Sequence, residues 1–265
     1  MEILFVAVLD MGVEGAALAM VAGQFLSAVF GSALIFSGRT LVVIERQIFR
    51  IRKELAGKIL SCGFAFFISQ IAMGLISLVY NGQLGKYGGD TAISVYAVVS
   101  SVMTFVIMPA SGISQGIQPI LGNNYGAGKY HRVMETMWKA SALSVGITCV
   151  IWAGVMLFSR ELILVFGGGE DMLAIGVSGL RINFIITPAL GFIMLATTFF
   201  QSLGKPLPSI IITALRQIVF LIPFIYLLPL VLGINGIFWA QPISDALALL
   251  LSLWLTLREQ KNMYR

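Results

Sequence analysis

The sequence predicts an all-α, polytopic membrane helix bundle of about seven transmembrane helices. Three observations carry this. Of 265 residues, 58% are hydrophobic and 11% charged, with a mean hydropathy of +0.94, whereas a soluble domain carries about 25% charged residues. Apolar stretches long enough to cross a bilayer, about 20 residues each, recur along the whole chain. Lys and Arg concentrate in alternate loops, as they do where one side of a membrane is cytoplasmic.

In order, Ile3 to Met11 is apolar but about half the length of a crossing, and reads as the end of a helix that starts upstream. Gly12-Val-Glu-Gly15 makes a turn, and the first full span is Ala16 to Phe36. A basic loop follows, with Arg39, Arg46, Arg50, Arg52, Lys53 and Lys58. The second span runs from Ile59 to Tyr80, with a loop expected over Asn81-Gly82, Lys86 and Gly88-Gly89. The third, Thr91 to Leu121, is long and reads as interrupted by Pro109 and Pro119, each of which removes a backbone donor. Gly112, Gly116, Ser111, Ser114, Gln115 and Gln118 add small and uncharged polar groups there. A lipid-facing helix needs none of these, whereas a flexing helix beside a polar path uses all of them. Lys129, His131 and Arg132 make the next loop basic.

The fourth span is Met137 to Phe158, and the fifth is Ile175 to Leu203, with Asn183 and Pro188 inside it. Gly204-Lys205-Pro206 turns into the sixth, Ser209 to Leu230, which contains Arg216, Gln217, Pro223 and Pro229. Gly233-Ile-Asn-Gly236 leads to the seventh, Ile237 to Leu257, and a polar tail with Arg258, Lys261 and Arg265. The loops of one side hold Arg39 to Lys58, Lys129, Arg132, Lys205 and the tail; the other side holds Lys86 and Arg160. The basic side is expected to be cytoplasmic, C-terminus included, with the N-terminus outside.

A repeat is visible. Gly12, Gly15 and Ala19 match Gly233, Gly236 and Ala240 in spacing, and each block is followed at the same offset by a polar residue, Gln24 or Asp245. Paired repeats build many secondary transporters. The first span then reads as the last helix of one half and the next six as a complete second half. This divides the chain into residues 1–58 and 59–265.

Several classes are excluded or unsupported. The net charge of +5 lies mostly in loops and indicates orientation rather than nucleic acid. One His and two Cys in apolar runs, Cys62 and Cys149, support neither a metal cluster nor a disulfide framework. Gly128-Lys129 is followed by Tyr130, so no phosphate loop is present, and no enzyme signature stands out. Met1-Glu2 opens with an acid where a signal peptide has a basic region.

Three stretches carry a family resemblance: Gln115-Gly-Ile-Gln-Pro-Ile-Leu-Gly-Asn-Asn-Tyr-Gly-Ala-Gly128 with Arg132-Val133; Phe199-Phe-Gln-Ser-Leu-Gly-Lys205 with Leu215-Arg-Gln217 and Ile222-Pro223; and Gly233-Ile-Asn-Gly-Ile-Phe-Trp-Ala-Gln-Pro-Ile-Ser-Asp245. Together they resemble the MATE family of multidrug exporters, in its MepA-like branch. The resemblance implies two six-helix lobes facing a central cavity. It implies export of amphipathic or cationic drugs by antiport of H⁺ or Na⁺, with no cofactor, across a bacterial cell membrane and in contact with membrane lipid. This chain corresponds to the C-terminal lobe plus the last helix of the N-terminal lobe, so the rest of that lobe is an expected partner. In many members a coupling carboxylate lies in the first helix, which has no counterpart here. The spans matching the family's seventh and tenth helices hold no Asp or Glu. Cation coupling therefore does not transfer onto particular residues. A lipid-linked-sugar flippase and a non-transporting half-bundle are the alternatives; the flippase would need several basic residues in its cavity, and only Arg181 and Arg216 qualify.

The candidate substrate-path residues are Gln70, Phe66, Phe67, Met73, Gln115, Gln118 and Asn183. Interhelical hydrogen bonding or plain packing is the alternative for each. Pro109, Pro119 and Pro188 are candidate hinges. Asp245 is the one carboxylate near the middle of a full span. It reads as mainly structural, held by hydrogen bonds or paired with Arg216, with cation carriage as the alternative. Arg216 in turn is expected either to snorkel or to pair. Reporter fusions after Lys261 and within residues 167–171 should report opposite sides of the membrane; same-side signals would refute the predicted topology.

Overall fold

The computed structural model describes the backbone of residues 5, 11–37 and 53–264, and side chains there except at 13, 16, 53–70 and 72. The basic loop from Arg39 to Arg52 and the tail residue Arg265 lie outside the described residues. The chain forms two compact units, residues 1–65 and 66–265.

In the first unit, α1 spans Gly12–Phe36, so the turn expected over residues 12–15 is instead the start of the helix. The second unit begins within α2, Lys53–Gly126. Its apolar part, Met73–Gly126, is 54 residues, or about 80 Å of helix against a hydrocarbon core of about 30 Å. Gly89 divides α2 into two arms, with φ 62 and ψ −159. Only glycine adopts that conformation freely. The loop expected over 81–89 is thus a correction: residues 81–88 are helical and one glycine makes the break. The interruption expected at Pro109 and Pro119 is also absent, since both lie inside continuous helix. Each proline frees one carbonyl, a loss that membrane helices accommodate through neighbouring groups and small backbone adjustments.

Tyr130–Leu157 forms α3, Ser159–Val165 α4, Glu170–Phe184 α5 and Thr187–Ser202 α6. The expected fifth span is therefore two helices bent by 44°. The break is at 185–186, and Pro188 follows in the first turn of α6, where its missing N–H costs nothing. Pro206–Ala214 is α7, Leu215–Leu221 is a π-helical turn, Ile222–Leu227 is α8 and Pro229–Leu232 is α9. Pro223 cannot donate to the carbonyl of Val219, and the wide turn sits directly before it. The last helix, α10, spans Ile234–Met263.

α10 is the central staff, packed against α5, α6, α7, the π turn and α8. Its buried line is Ala240, Ser244, Ala248, Ser252 and Thr256, one small residue per turn. Helices in lipid gain little from hydrophobic exclusion and associate by close approach, which small residues permit. The same logic joins α3 to α6: a Cβ on Gly191 would stand 3.0 Å from the Ser144 carbonyl. Large apolar side chains such as Phe105, Val150, Leu230 and Trp254 point outward instead, as a surface solvated by acyl chains requires. The result is a polytopic membrane helix bundle.

The Gly, Gly and Ala positions of the repeat have one structural meaning in both copies, whereas its polar position does not, Gln24 being exposed and Asp245 buried. Gly12 and Gly233 have φ 55 and 58 and each opens a helix. Gly15 packs against the Phe5 carbonyl and Gly236 against Leu228, while Ala19 and Ala240 are both buried. At one end of the 66–265 unit, Lys205 Nζ meets Glu259 Oε1 at 2.5 Å, tying the α6–α7 turn to the end of α10. That hydrogen bond holds the Lys205 ammonium above its ordinary pKa range.

A Cβ at position 236 would lie 2.7 Å from Pro229 N and closer still to the Leu228 carbonyl. Gly236→Ala is expected to cost about 1–3 kcal/mol of stability, read as a lowered melting temperature in detergent. Gly146→Ala, with nothing within 4 Å, should be neutral or up to about 1 kcal/mol stabilising. Equal effects at the two sites would refute the packing argument.

Candidate functional site

Asp245 is 2% exposed, in the interior of α10. Two donors hold the same carboxylate oxygen. Arg216 Nε donates to Asp245 Oδ1 at 2.6 Å, and Gln241 Nε2, one helical turn before, donates to it at 3.0 Å. Counting residues from the Gly-rich turn puts Arg216 and Asp245 about a turn or more apart in depth. The structure brings them into contact because Arg216 leaves the helix within the π turn, where the backbone is widened and its side chain aims across at α10. A charge in hydrocarbon needs such a partner.

Arg216 opens onto a cleft of about 350 Å³. Met73, Ile76, Ser77 and Tyr80 line it from the first arm of α2; Tyr96, Val99, Ser100, Met103, Thr104 and Ile107 from the second. Those six recur at three- and four-residue intervals, so they share one helix face. Asn183, Leu190, Arg216, Gln217, Leu221 and Gln241 complete the wall. Tyr80 is 1% exposed and stacks on Tyr96, with centroids 4.5 Å apart and planes 14° apart. The Tyr80 hydroxyl is buried with no hydrogen-bond partner among the described residues.

The sequence-predicted residues divide. Met73, Asn183 and Arg216 line the cleft, with Asp245 directly behind Arg216. The side chains of Phe66, Phe67 and Gln70 lie outside the described residues. Gln115 and Gln118 are exposed and do not line this cleft. Gln118 nevertheless continues the helix line of Ile107 toward the Gly126 end, since eleven residues make about three turns. Pro188 does not line the cleft; its carbonyl accepts a hydrogen bond from Thr148 Oγ1 at 3.3 Å. Arg181 is not in the cleft; its Nε donates to Ser159 Oγ at 3.0 Å.

Sequence reasoning missed Tyr80, Tyr96, Ser100, Thr104, Gln217 and Gln241. Their signals were present: Tyr96-Ser100-Thr104 is a polar stripe at i, i+4, i+8, and Gln241 precedes Asp245 by four. Placing a loop at residue 81 made Tyr80 look like a helix end.

The family model MatE matches residues 65–227, more than half of the chain. The chain belongs to the MatE family. MatE relatives include the multidrug export protein MepA of Staphylococcus aureus strain MSSA476, 24% identical over 245 residues, covering 92% of this chain and 53% of the relative. MepA of Staphylococcus saprophyticus is 24% identical over 254 residues, with the same coverage. The chain thus spans about half the length of the curated relatives it matches. Among solved structures, the outward-facing conformation of a multidrug resistance MATE family transporter of the MOP superfamily aligns with TM-score 0.87 at 22% identity, over 99% of this chain and 59% of the other. An MOP superfamily transporter from Pyrococcus furiosus, described as having a binding pocket of reverse polarity, aligns with TM-score 0.87 at 21% identity, over 99% and 60%. These likenesses establish the MatE fold of this multi-pass membrane chain.

Removing one member of a buried ion pair strands the other, at a cost of about 3–5 kcal/mol. Arg216→Ala and Asp245→Ala are each expected to lower thermal stability by that order, and Arg216→Met with Asp245→Leu to recover most of it. A double variant as unstable as the sum of the two single variants would show that the pair is not an energetic unit.

Proposed function

We propose that residues 59–265 form the C-terminal lobe of a multidrug exporter and that the cleft at Arg216 is this lobe's wall of the substrate path. The observation that carries the reading is a polar cleft, with one charged side chain on a π-helical turn, inside an otherwise apolar bundle. π bulges within helices are frequent at functional sites, and transporter sites lie where helices are broken or widened at membrane depth. The names of the Staphylococcus relatives support the same reading. Residues 1–58 then belong with the opposite lobe, which supplies the facing wall. The setting is the bacterial plasma membrane, with the C-terminus and the Lys205–Glu259 end cytoplasmic, and H⁺ or Na⁺ drives export. The bends at Gly89 and at 185–186 are the places where the path flexes, with Pro109 and Pro188 each two residues from a lining position and Pro119 further along α2 as additional hinges. Asp245, engaged by two donors, serves structure rather than carriage.

Alternating access needs two lobes moving against each other. Expressed by itself in a drug-sensitive bacterium, the 265-residue chain is expected to leave ethidium efflux at background; robust efflux by the monomeric chain would sink the two-lobe reading. Combined with a second lobe, Asp245→Asn should either lose folded protein or keep appreciable efflux. Normal folding and drug binding with H⁺- or Na⁺-dependent efflux abolished would instead make Asp245 the coupling carboxylate.

A further inference from the structure

We infer that this cleft takes an organic anion: an aromatic amphiphile whose carboxylate or sulfonate sits against the Arg216 guanidinium. The inference rests on reading the cleft as a substrate wall and concerns what the wall selects.

The first argument is sign. Among the described residues lining the cleft, Arg216 is the one charged side chain. Its partner does not offset it at the surface: the Asp245 side chain is 3% exposed and lies behind, while that of Arg216 is 20% exposed and faces the space. The pair is neutral overall but oriented, positive end toward the cleft. An organic cation there would meet a guanidinium at short range with no lining acid to offset it, and that repulsion is only weakly screened away from water.

The second argument is unused donor capacity. A guanidinium has five N–H groups in a planar fork that matches a carboxylate or sulfonate. Here Nε serves Asp245, and among the described residues no acceptor engages the two terminal nitrogens. Those terminal N–H groups face the cleft, where they can donate to an acceptor that enters it. A charge-assisted, two-pronged contact with an anion is stronger than one with a neutral group.

The third argument is a buried group that points to a ligand. Among the described residues the buried Tyr80 hydroxyl has no partner, and its residue lines the same cleft as Arg216. A phenol donates readily to an anion. Its ring is stacked on Tyr96, and this aromatic wall offers a planar ligand ring offset stacking. Gln217 and Asn183 add amide donors to the same lining. A volume of about 350 Å³ falls within the usual range for small-molecule pockets of about 300–1,000 Å³.

The test uses the full chain in lipid nanodiscs and two dansyl probes of opposite charge: dansylglycine, and a dansyl amide carrying a trimethylammonium group. Partition into protein-free nanodiscs is subtracted. Dansylglycine is expected to bind saturably and about tenfold or more tighter than the cation. Gln217→Glu should abolish or invert that preference; if that variant does not fold, Thr104→Glu at an exposed lining position serves the same purpose. Tyr80→Phe keeps the ring stack and should weaken the anion several-fold while leaving the cation unchanged. Equal binding of the two probes, tighter binding of the cation, or a preference indifferent to the added acid would overturn this inference alone. Absence of saturable binding by either probe would overturn it together with the reading of the cleft on which it rests.

Discussion

A charge inside hydrocarbon must have a partner, and in this bundle the Arg216–Asp245 pair meets that requirement. The pair constrains much else. Arg216 can reach α10 because Leu215–Leu221 is wound as a π turn. Asp245 is buried on α10 beside a line of small residues, Ala240, Ser244, Ala248 and Ser252, against which α5, α6 and α7 pack. Gln241 fixes the rotamer of the carboxylate from one turn away. Replacing both members by apolar residues would be energetically tolerable, whereas removing one alone strands the other.

The breaks in the helices are placed to serve that region. Gly89 brings two arms of α2 side by side, and both arms line the cleft, with Tyr80 on one stacked against Tyr96 on the other. The interruption at 185–186 lets α5 and α6 diverge by 44° around Asn183 and Leu190, which both face the same space. Prolines mark these places unevenly. Pro188 and Pro223 stand beside a break or a widened turn, whereas Pro109 and Pro119 sit in unbroken helix. A missing donor produces a break only where no neighbour or local adjustment accommodates the freed carbonyl.

Close backbone approach is the other organising force. Gly191 on Ser144, Gly179 on Phe238 and Gly236 on Leu228 are contacts that an added Cβ would crowd, most severely at Gly236, where it would meet backbone. The repeated Gly-x-x-Gly-x-x-x-Ala block shows how such a contact is written locally. A left-handed glycine starts the helix, a second glycine admits the preceding chain, and the alanine one turn on is buried.

The sequence by itself determined the class of the protein, an all-α polytopic membrane bundle, and the family motifs. Each of these depends on local composition: about 20 apolar residues span a bilayer whatever surrounds them. It also picked out Arg216, Asp245 and Asn183, because polar groups in apolar runs are conspicuous. The tertiary structure decided which of the polar groups meet. Gln115 and Gln118 looked as well placed as Asn183, yet the cleft includes Asn183 and not them. Tyr80, Tyr96, Gln217 and Gln241 became a site only when Gly89 folded one arm onto the other and the π turn rotated Arg216 toward α10. Rotation about a helix axis and depth along it are relations between helices, set by packing and by a single widened turn, and no stretch of one helix encodes them alone.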